Sequence, residues 1–385
     1  MKKLMIPILC LGLLCGCARS ASQPTPTPSS APQPVTLSLC ALGDALIHRT
    51  VYQDAAKNAA QNPERDYDFL PMFELVADSF SSADISFYNQ ETPLGGTQIG
   101  LSDYPLFNSP QELGEDMIAM GADVVNHATN HILDRGVEGI ANTIAFWKQH
   151  PEVTVVGITD GTYPEIQYTE VKGIKIAWLG YGYGTNGLSL PEDTPYRVRL
   201  IDNDAVCQAA REARKNADLV IVSLHWGNEY HMEPSQEQRK LAMRLSQENV
   251  DLIIGHHPHV IQPVKSITRP DGKPMLVAYS LGNFVSAQDM TKSMLEGMLE
   301  AKFTGTKGDM QISYAKFVPL VDHFDRGFCN FKVYPFSQYS EELAQTHGVR
   351  DYDPSFSHEA VQLLIDKTVD PAYLEGKTLE KNTIN

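Results

Sequence analysis

Residues 220–259 read VIVSLHWGNEYHMEPSQEQRKLAMRLSQENVDLIIGHHPH, and the fold turns on them. Val220–Leu224 and Leu252–Ile254 are apolar runs of strand length. The first ends in His225, the second in His256, His257 and His259. Between them Ser235 and Gln238 have capping-box spacing ahead of a helical run that ends near Asn249. Strand, helix and strand form one step of an α/β sheet, where ligands bind beyond the strand ends. Imidazole is the commonest protein metal ligand. The four histidines therefore mark a candidate metal site.

The rest of the chain repeats the pattern. Val35–Leu42 is β-prone and closes on Gly43-Asp44. Asp84–Tyr88 leads into Asn89-Gln90-Glu91-Thr92-Pro93, and Asp123–Val125 into Asn126-His127-Ala128-Thr129-Asn130-His131. Met275–Ala278 leads to Ser280 and Asn283. Helical spacing appears at Phe73, Val76, Ala77 and Phe80, and again at Val137, Ile140, Ala141 and Ile144. Ser109, Pro110 and Glu112 predict a capped helix running to Met120. Tyr168–Gly180 reads as a hairpin turned at Lys172-Gly173, and Asp204–Asn216 as a helix. Strand-rich sequence follows at Met298–Phe303 and Met310–Val318. This alternation predicts an α/β sandwich of two sheets with helices outside, over residues 35–320. Residues 321–385 are expected to be a C-terminal extension with helices at Glu341–Gln345 and His358–Lys367.

Composition narrows the partners. Lys+Arg 31 against Asp+Glu 47 gives a net charge of −16, which argues against nucleic acid. The N-terminus, MKKLMIPILCLGLLCGC, has a basic start and an apolar core at Leu4–Leu14 that is too short to span a bilayer. It ends in Leu14-Cys15-Gly16-Cys17, which resembles a bacterial lipobox with Cys17 as the lipidated residue. Residues 1–17 are thus expected to be a lipoprotein signal peptide, and the Pro/Ser/Thr-rich residues 18–34 a tether. The chain is then expected at the bacterial cell membrane, lipid-anchored on its extracytoplasmic face. Cys40, Cys207 and Cys329 are far apart and do not indicate a disulfide framework.

Mixed carboxylate, amide and imidazole donors suit Mn²⁺, Fe²⁺ or Zn²⁺. Two such ions clamp a phosphoryl group and activate water.

The ordered set Gly43-Asp44, NQETP at Asn89–Pro93, TNHILDRG at Thr129–Gly136, LHWGNEY at Leu224–Tyr230, GHHPHVIQP at Gly255–Pro263 and YSLGNF at Tyr279–Phe284 resembles the CapA-type capsule synthesis family. That family is linked to poly-γ-glutamate production and is similar to calcineurin-like metallophosphatases. The resemblance implies a calcineurin-like sandwich of two mixed sheets flanked by helices. It implies Asn130, His225 and His257 as ligands of one divalent ion and Asp44 and His259 of another, with His131 as the catalytic group at the substrate oxygen. Two departures stand out. Leu46 occupies the place of a ligand histidine, with His48 two residues beyond, and the bridging carboxylate is absent or supplied by Glu91. Asn89, His48, His256 and Asn283 are further candidates for ligand or supporting roles. The resemblance implies a metal-dependent hydrolase acting on a phosphoester or an anionic polymer. The alternative is a non-catalytic metal-binding accessory that guides an anionic polymer beside a capsule synthase or exporter.

Overall fold

The computed structural model describes residues 33–60, 62 and 64–381. The expectations for residues 1–17, with Cys17, and for the tether up to residue 32 lie outside the described residues.

Two mixed sheets face each other. The first runs in the order Cys329–Pro335, Asp309–Asp325, Leu295–Thr306, Val35–Ala45, Ile85–Gln90, Val124–Asn126, Thr154–Val156. Its last four strands are mutually parallel, and Asn283–Val285 adds a parallel pairing beside the end of Val35–Ala45. The second sheet runs Val264–Thr268, Pro274–Ala278, Leu252–His256, Leu219–His225, Ile174–Gly182, Gln167–Val171. Its four inner strands are parallel. The two-sheet α/β sandwich expected from the sequence is the one observed.

Period-two alternation sets the faces of the second sheet. Val220, Val222, Leu224 and Ile253 pack outward with Val206, Ala210, Leu241 and Leu245 of the helices Asn203–Asn216 and Gln236–Gln247. Leu219, Ile221, Leu252 and Ile254 join the core shared with the first sheet. The same alternation turns His225 and His256 inward. Across the gap, Phe87 of the first sheet stacks on Trp178 of the second with ring centroids 6.2 Å apart. The predicted Ser235–Gln238 capping box is present, as is the hairpin at Lys172-Gly173.

Two expectations are corrected. The helix predicted from Ser109 spans Glu112–Ala119 and has no side-chain cap. The Ser109 hydroxyl is taken instead by Thr92 Oγ1 at 2.6 Å. The boundary at 320 falls inside the strand Asp309–Asp325, which pairs beyond it with Cys329–Pro335. Phe331, Val333, Val349, Phe356 and Ile365 belong to the inter-sheet core cluster. Residues after 320 therefore complete the first sheet rather than extend from it.

Gly43 carries the close approach that the site needs. A Cβ there would lie 2.2 Å from the Gly282 carbonyl oxygen and 2.8 Å from that of Asn283. Gly43→Ala is expected to cost about 2–4 kcal/mol through overpacking against backbone. Chemical denaturation of the variant beside the parent checks this. An unchanged midpoint would show that the strand ends can part without loss.

Candidate metal centre

Strand register assembles one wall of the site. Asp44 pairs with Asn283 on one side and with Asn89 on the other. Asn89 pairs in turn with Asn126. The four form a row, at the carboxyl ends of three parallel strands and the start of the short strand Asn283–Val285. Hydrogen bonds run along it: Asn126 Nδ2 donates to Asn89 Oδ1 at 2.6 Å, and Asn89 Nδ2 donates to Asp44 Oδ1 at 2.8 Å. Opposite, in the second sheet, Gly182, His225 and His256 stand in register. The absence of a side chain at Gly180 makes room for Asn126, whose Oδ1 would lie 2.4 Å from a Cβ there.

Glu91 and two loop histidines fill the space between the rows. Glu91, His257 and His259 each present a ligand atom, all within 4.8 Å of one another. Glu91 Oε1 lies 3.5 Å from His259 Nε2 and 3.7 Å from His225 Nε2. His225 Nε2 is also 2.7 Å from Asn130 Oδ1. The loop that carries His257 and His259 holds both at positive φ, 94° and 54°. Such angles are costly for a non-glycine residue and cluster at functional sites.

The two buried carboxylates differ sharply. Asp44 Oδ2 accepts from the His257 backbone N–H at 3.0 Å. Burial raises the Asp44 carboxyl, but the imidazoles of His256 and His259 and the His257 N–H outweigh it and hold Asp44 below its ordinary value. Neither oxygen of Glu91 has a hydrogen-bond partner. Burial, then the charges of Asp44, Glu229 and Asp134, push its carboxyl well above the ordinary range. Burial and then the neighbouring imidazoles push His225 well below its ordinary value. Burial foremost, then His259, push His257 down to about 3. Both rings are therefore neutral near pH 7 and can offer lone pairs.

His131 lines a cleft of about 700 Å³ together with Asn130 and His259. Its Nδ1 is 2.7 Å from Asp134 Oδ2, which also accepts the Phe107 backbone N–H at 2.8 Å. Asp134 thus fixes the ring and leaves Nε2 as the nitrogen for a ligand. The spacing of His131 and Asp134, three residues apart, was a readable signal that the sequence reading passed over. Asn126 was passed over too, because its role depends on register with Asn89.

The remaining candidates separate by their partners. Asn89 is engaged on both amide atoms, by Asn126 and Asp44, and so steadies the Asp44 carboxylate. Asn283 Oδ1 lies 2.9 Å from His259 Nδ1 and thereby turns His259 Nε2 toward Glu91. His48 lines the cleft, but its Nδ1 sits between the Leu46 carbonyl oxygen at 3.1 Å and the Ala287 N–H at 3.0 Å. His256 stacks on Phe87 with centroids 5.6 Å apart, and its Nδ1 is 3.4 Å from Asp44 Oδ1. It lies behind Asp44 as a buried counterpart.

The donors fit a divalent cation. Both Glu91 oxygens and His257 Nδ1 are buried without a protein partner, and groups so placed call for an ion or another polar partner. Their mixture of oxygen and nitrogen suits Mn²⁺, Fe²⁺ or Zn²⁺. The linkage has a definite sign. A raised Glu91 carboxyl stabilises the folded chain fully below the unfolded carboxylate value, and that contribution is lost as pH rises through the folded value. In chelator at pH 8, Glu91→Gln is expected to be at least as stable as the parent. Saturating Mn²⁺ is expected to raise the parent's Tm by about 5 °C or more and to leave the variant's unchanged. Equal metal-induced shifts in both would remove Glu91 from the ligand set.

Comparison with known proteins places the chain. The model of the bacterial capsule synthesis protein family PGA_cap matches residues 38–288. The chain is 36% identical over 177 residues to PGA biosynthesis protein CapA of Bacillus subtilis (strain 168), covering 45% of each chain. It is 34% identical over 179 residues to capsule biosynthesis protein CapA of Bacillus anthracis, covering 45% of this chain and 42% of that one. The matched region therefore spans under half the length of these relatives. Among solved structures, it is similar to the calcineurin-like phosphoesterase YfkN of Bacillus subtilis, with 14% identity, 89% and 99% of the two chains covered and a TM-score of 0.42. It is also similar to the NAD nucleotidase NadN of Haemophilus influenzae, with 14% identity, 87% and 67% covered and a TM-score of 0.44. The family match takes in well over half of the chain and every residue of the metal centre from Asp44 to Asn283, so the chain belongs to the bacterial capsule synthesis protein family PGA_cap.

Proposed function

We propose that this chain is a metal-dependent hydrolase of phosphoesters that serves the synthesis of a capsular polymer of the poly-γ-glutamate type. One observation carries the reading. The buried Glu91 carboxylate has no protein partner and faces His225, His257 and His259, while His259 and His131 line one cleft.

Asp44, Glu91, Asn130, His225, His257 and His259 would hold the divalent ion, or a pair of ions. Ions at such a site supply Lewis acidity toward a phosphoryl oxygen. The chain's own contribution is orientation and proton handling. Asn89 and the His257 N–H fix the Asp44 carboxylate. Asn283 fixes the tautomer and direction of His259. Asp134 holds His131 through Nδ1, so that Nε2 is the atom to hydrogen-bond a leaving or developing oxyanion.

The lipid anchor belongs to the same proposal. The basic start, short apolar core and Cys17, followed by a Pro/Ser/Thr-rich stretch, support attachment at the extracytoplasmic face of the membrane, close to a capsule synthase or exporter. Cys17→Ser is expected to move the protein from the membrane fraction to the soluble one. Retention in the membrane fraction would remove the anchor.

The hydrolase reading is tested on the full chain in detergent, loaded with Mn²⁺. Substrates are p-nitrophenyl phosphate, bis-p-nitrophenyl phosphate and poly-γ-glutamate. His131→Ala is expected to lower phosphoester turnover by about 10²–10⁴-fold with metal content unchanged. A metal-loaded protein inert on all three substrates would overturn the reading in favour of a polymer-holding accessory.

A further inference from the structure

The cleft above the metal centre has a distinctive charge. Two carboxylates, Glu229 and Asp289, line it, and among the described residues no lysine or arginine does. Both side chains are exposed, and neither takes part in any of the hydrogen bonds or ion pairs found among the described residues. Three cations near the wall are already engaged: Arg49, next to His48, has its Nε 4.0 Å from Asp103 Oδ2, and Lys292 and Arg135 are held mainly by backbone oxygens. Lys292 Nζ donates to the Tyr230 carbonyl oxygen at 3.0 Å. Arg135 donates to the carbonyl oxygens of Gly100 and Ile99 at 2.8 and 2.6 Å and to Ser102 Oγ at 3.0 Å.

The same wall carries aromatic rings. Tyr104 is 74% exposed at the cleft. Tyr230 also lines it, and its ring already has the Lys292 ammonium 5.7 Å from its centroid. Unpaired carboxylates beside tyrosine faces are the groups that recognise ammonium ions, by charge and by the ring quadrupole. A polyanionic chain would meet two uncompensated negative charges on its way to the floor, whereas an ammonium would compensate them.

We propose that the cleft takes a phosphoester whose organic part bears an ammonium group, with the phosphoester at the metal floor and the ammonium between Glu229, Asp289 and Tyr104. The fate of the phosphoester rests on the hydrolase reading; the charge selectivity of the wall does not. A polyanion such as poly-γ-glutamate is then an associated product of the machinery rather than the ligand of this cleft.

Phosphoethanolamine, propyl phosphate and phosphoglycolate carry a phosphoester beside a positive, neutral or negative end. Their binding to the Mn²⁺-loaded full chain is measured by calorimetry at low salt and pH 7.5, and their turnover by phosphate release. The expected order of affinity is phosphoethanolamine, propyl phosphate, phosphoglycolate, with about tenfold between the first two. The advantage should shrink as salt rises. Glu229→Gln with Asp289→Asn should bring the first two within about twofold. Tyr104→Ala should weaken phosphoethanolamine more than propyl phosphate. Ammonium preference in binding without turnover of any ester would uphold the inference and sink the hydrolase reading. Turnover without preference would do the reverse. Equal affinity for the three esters, no binding of any, or a preference unchanged by the double variant overturns the inference.

Discussion

Two carboxylates, Asp44 and Glu91, are buried together between the sheets, and each is fully shielded from water. Burying one anion is costly, and burying a second beside it adds repulsion. The protein answers the two costs differently. Asp44 receives N–H donors from Asn89 and His257 and lies beside two imidazoles. Glu91 receives no hydrogen bond from any described residue. A proton on the raised Glu91 carboxyl, or a cation between the two, relieves that repulsion. The histidines that surround Glu91 are too deeply desolvated to supply the positive charge themselves.

That constraint explains features that look unrelated in isolation. Parallel pairing in both sheets brings strand ends to one level, so donors arrive in rows. Gly43 and Gly180 let the rows close around their polar atoms. Asn126 and Asn283 hydrogen-bond to Asn89 and His259 and orient those groups. Backbone strain at His257 and His259 follows from turning two imidazoles inward from a loop that leaves the sheet after His256.

Much of this was legible in the sequence, and for a physical reason. Parallel strands buried on both faces read as unbroken apolar runs, so Leu219–His225 and Leu252–His256 announced themselves along with their terminal histidines. Roles that depend on register across strands did not. Nothing near Asn126 marks it as the partner of Asn89, because the pairing is made across 37 residues of chain. Ser109 looked like a helix cap because capping is local, but a hydrogen bond with Thr92, 17 residues away, claimed its hydroxyl. The boundary at 320 failed because the pattern after it is weak, although Val321 and Phe324 are wholly buried in the same strand.

The floor and the wall of the cleft are built from different material. The candidate metal donors sit on strand ends or in the short segments directly after them, where a one-residue slip would turn inward side chains outward. Tyr104, Leu106, Leu188, Glu229 and Asp289 instead occupy connecting segments, and loops absorb insertions that strands do not. Selectivity in such a scaffold can diverge while the candidate metal centre is inherited intact. Proteins that share every metal donor with this chain can therefore differ in what they admit, and the character of their connecting loops is the place to look for that difference.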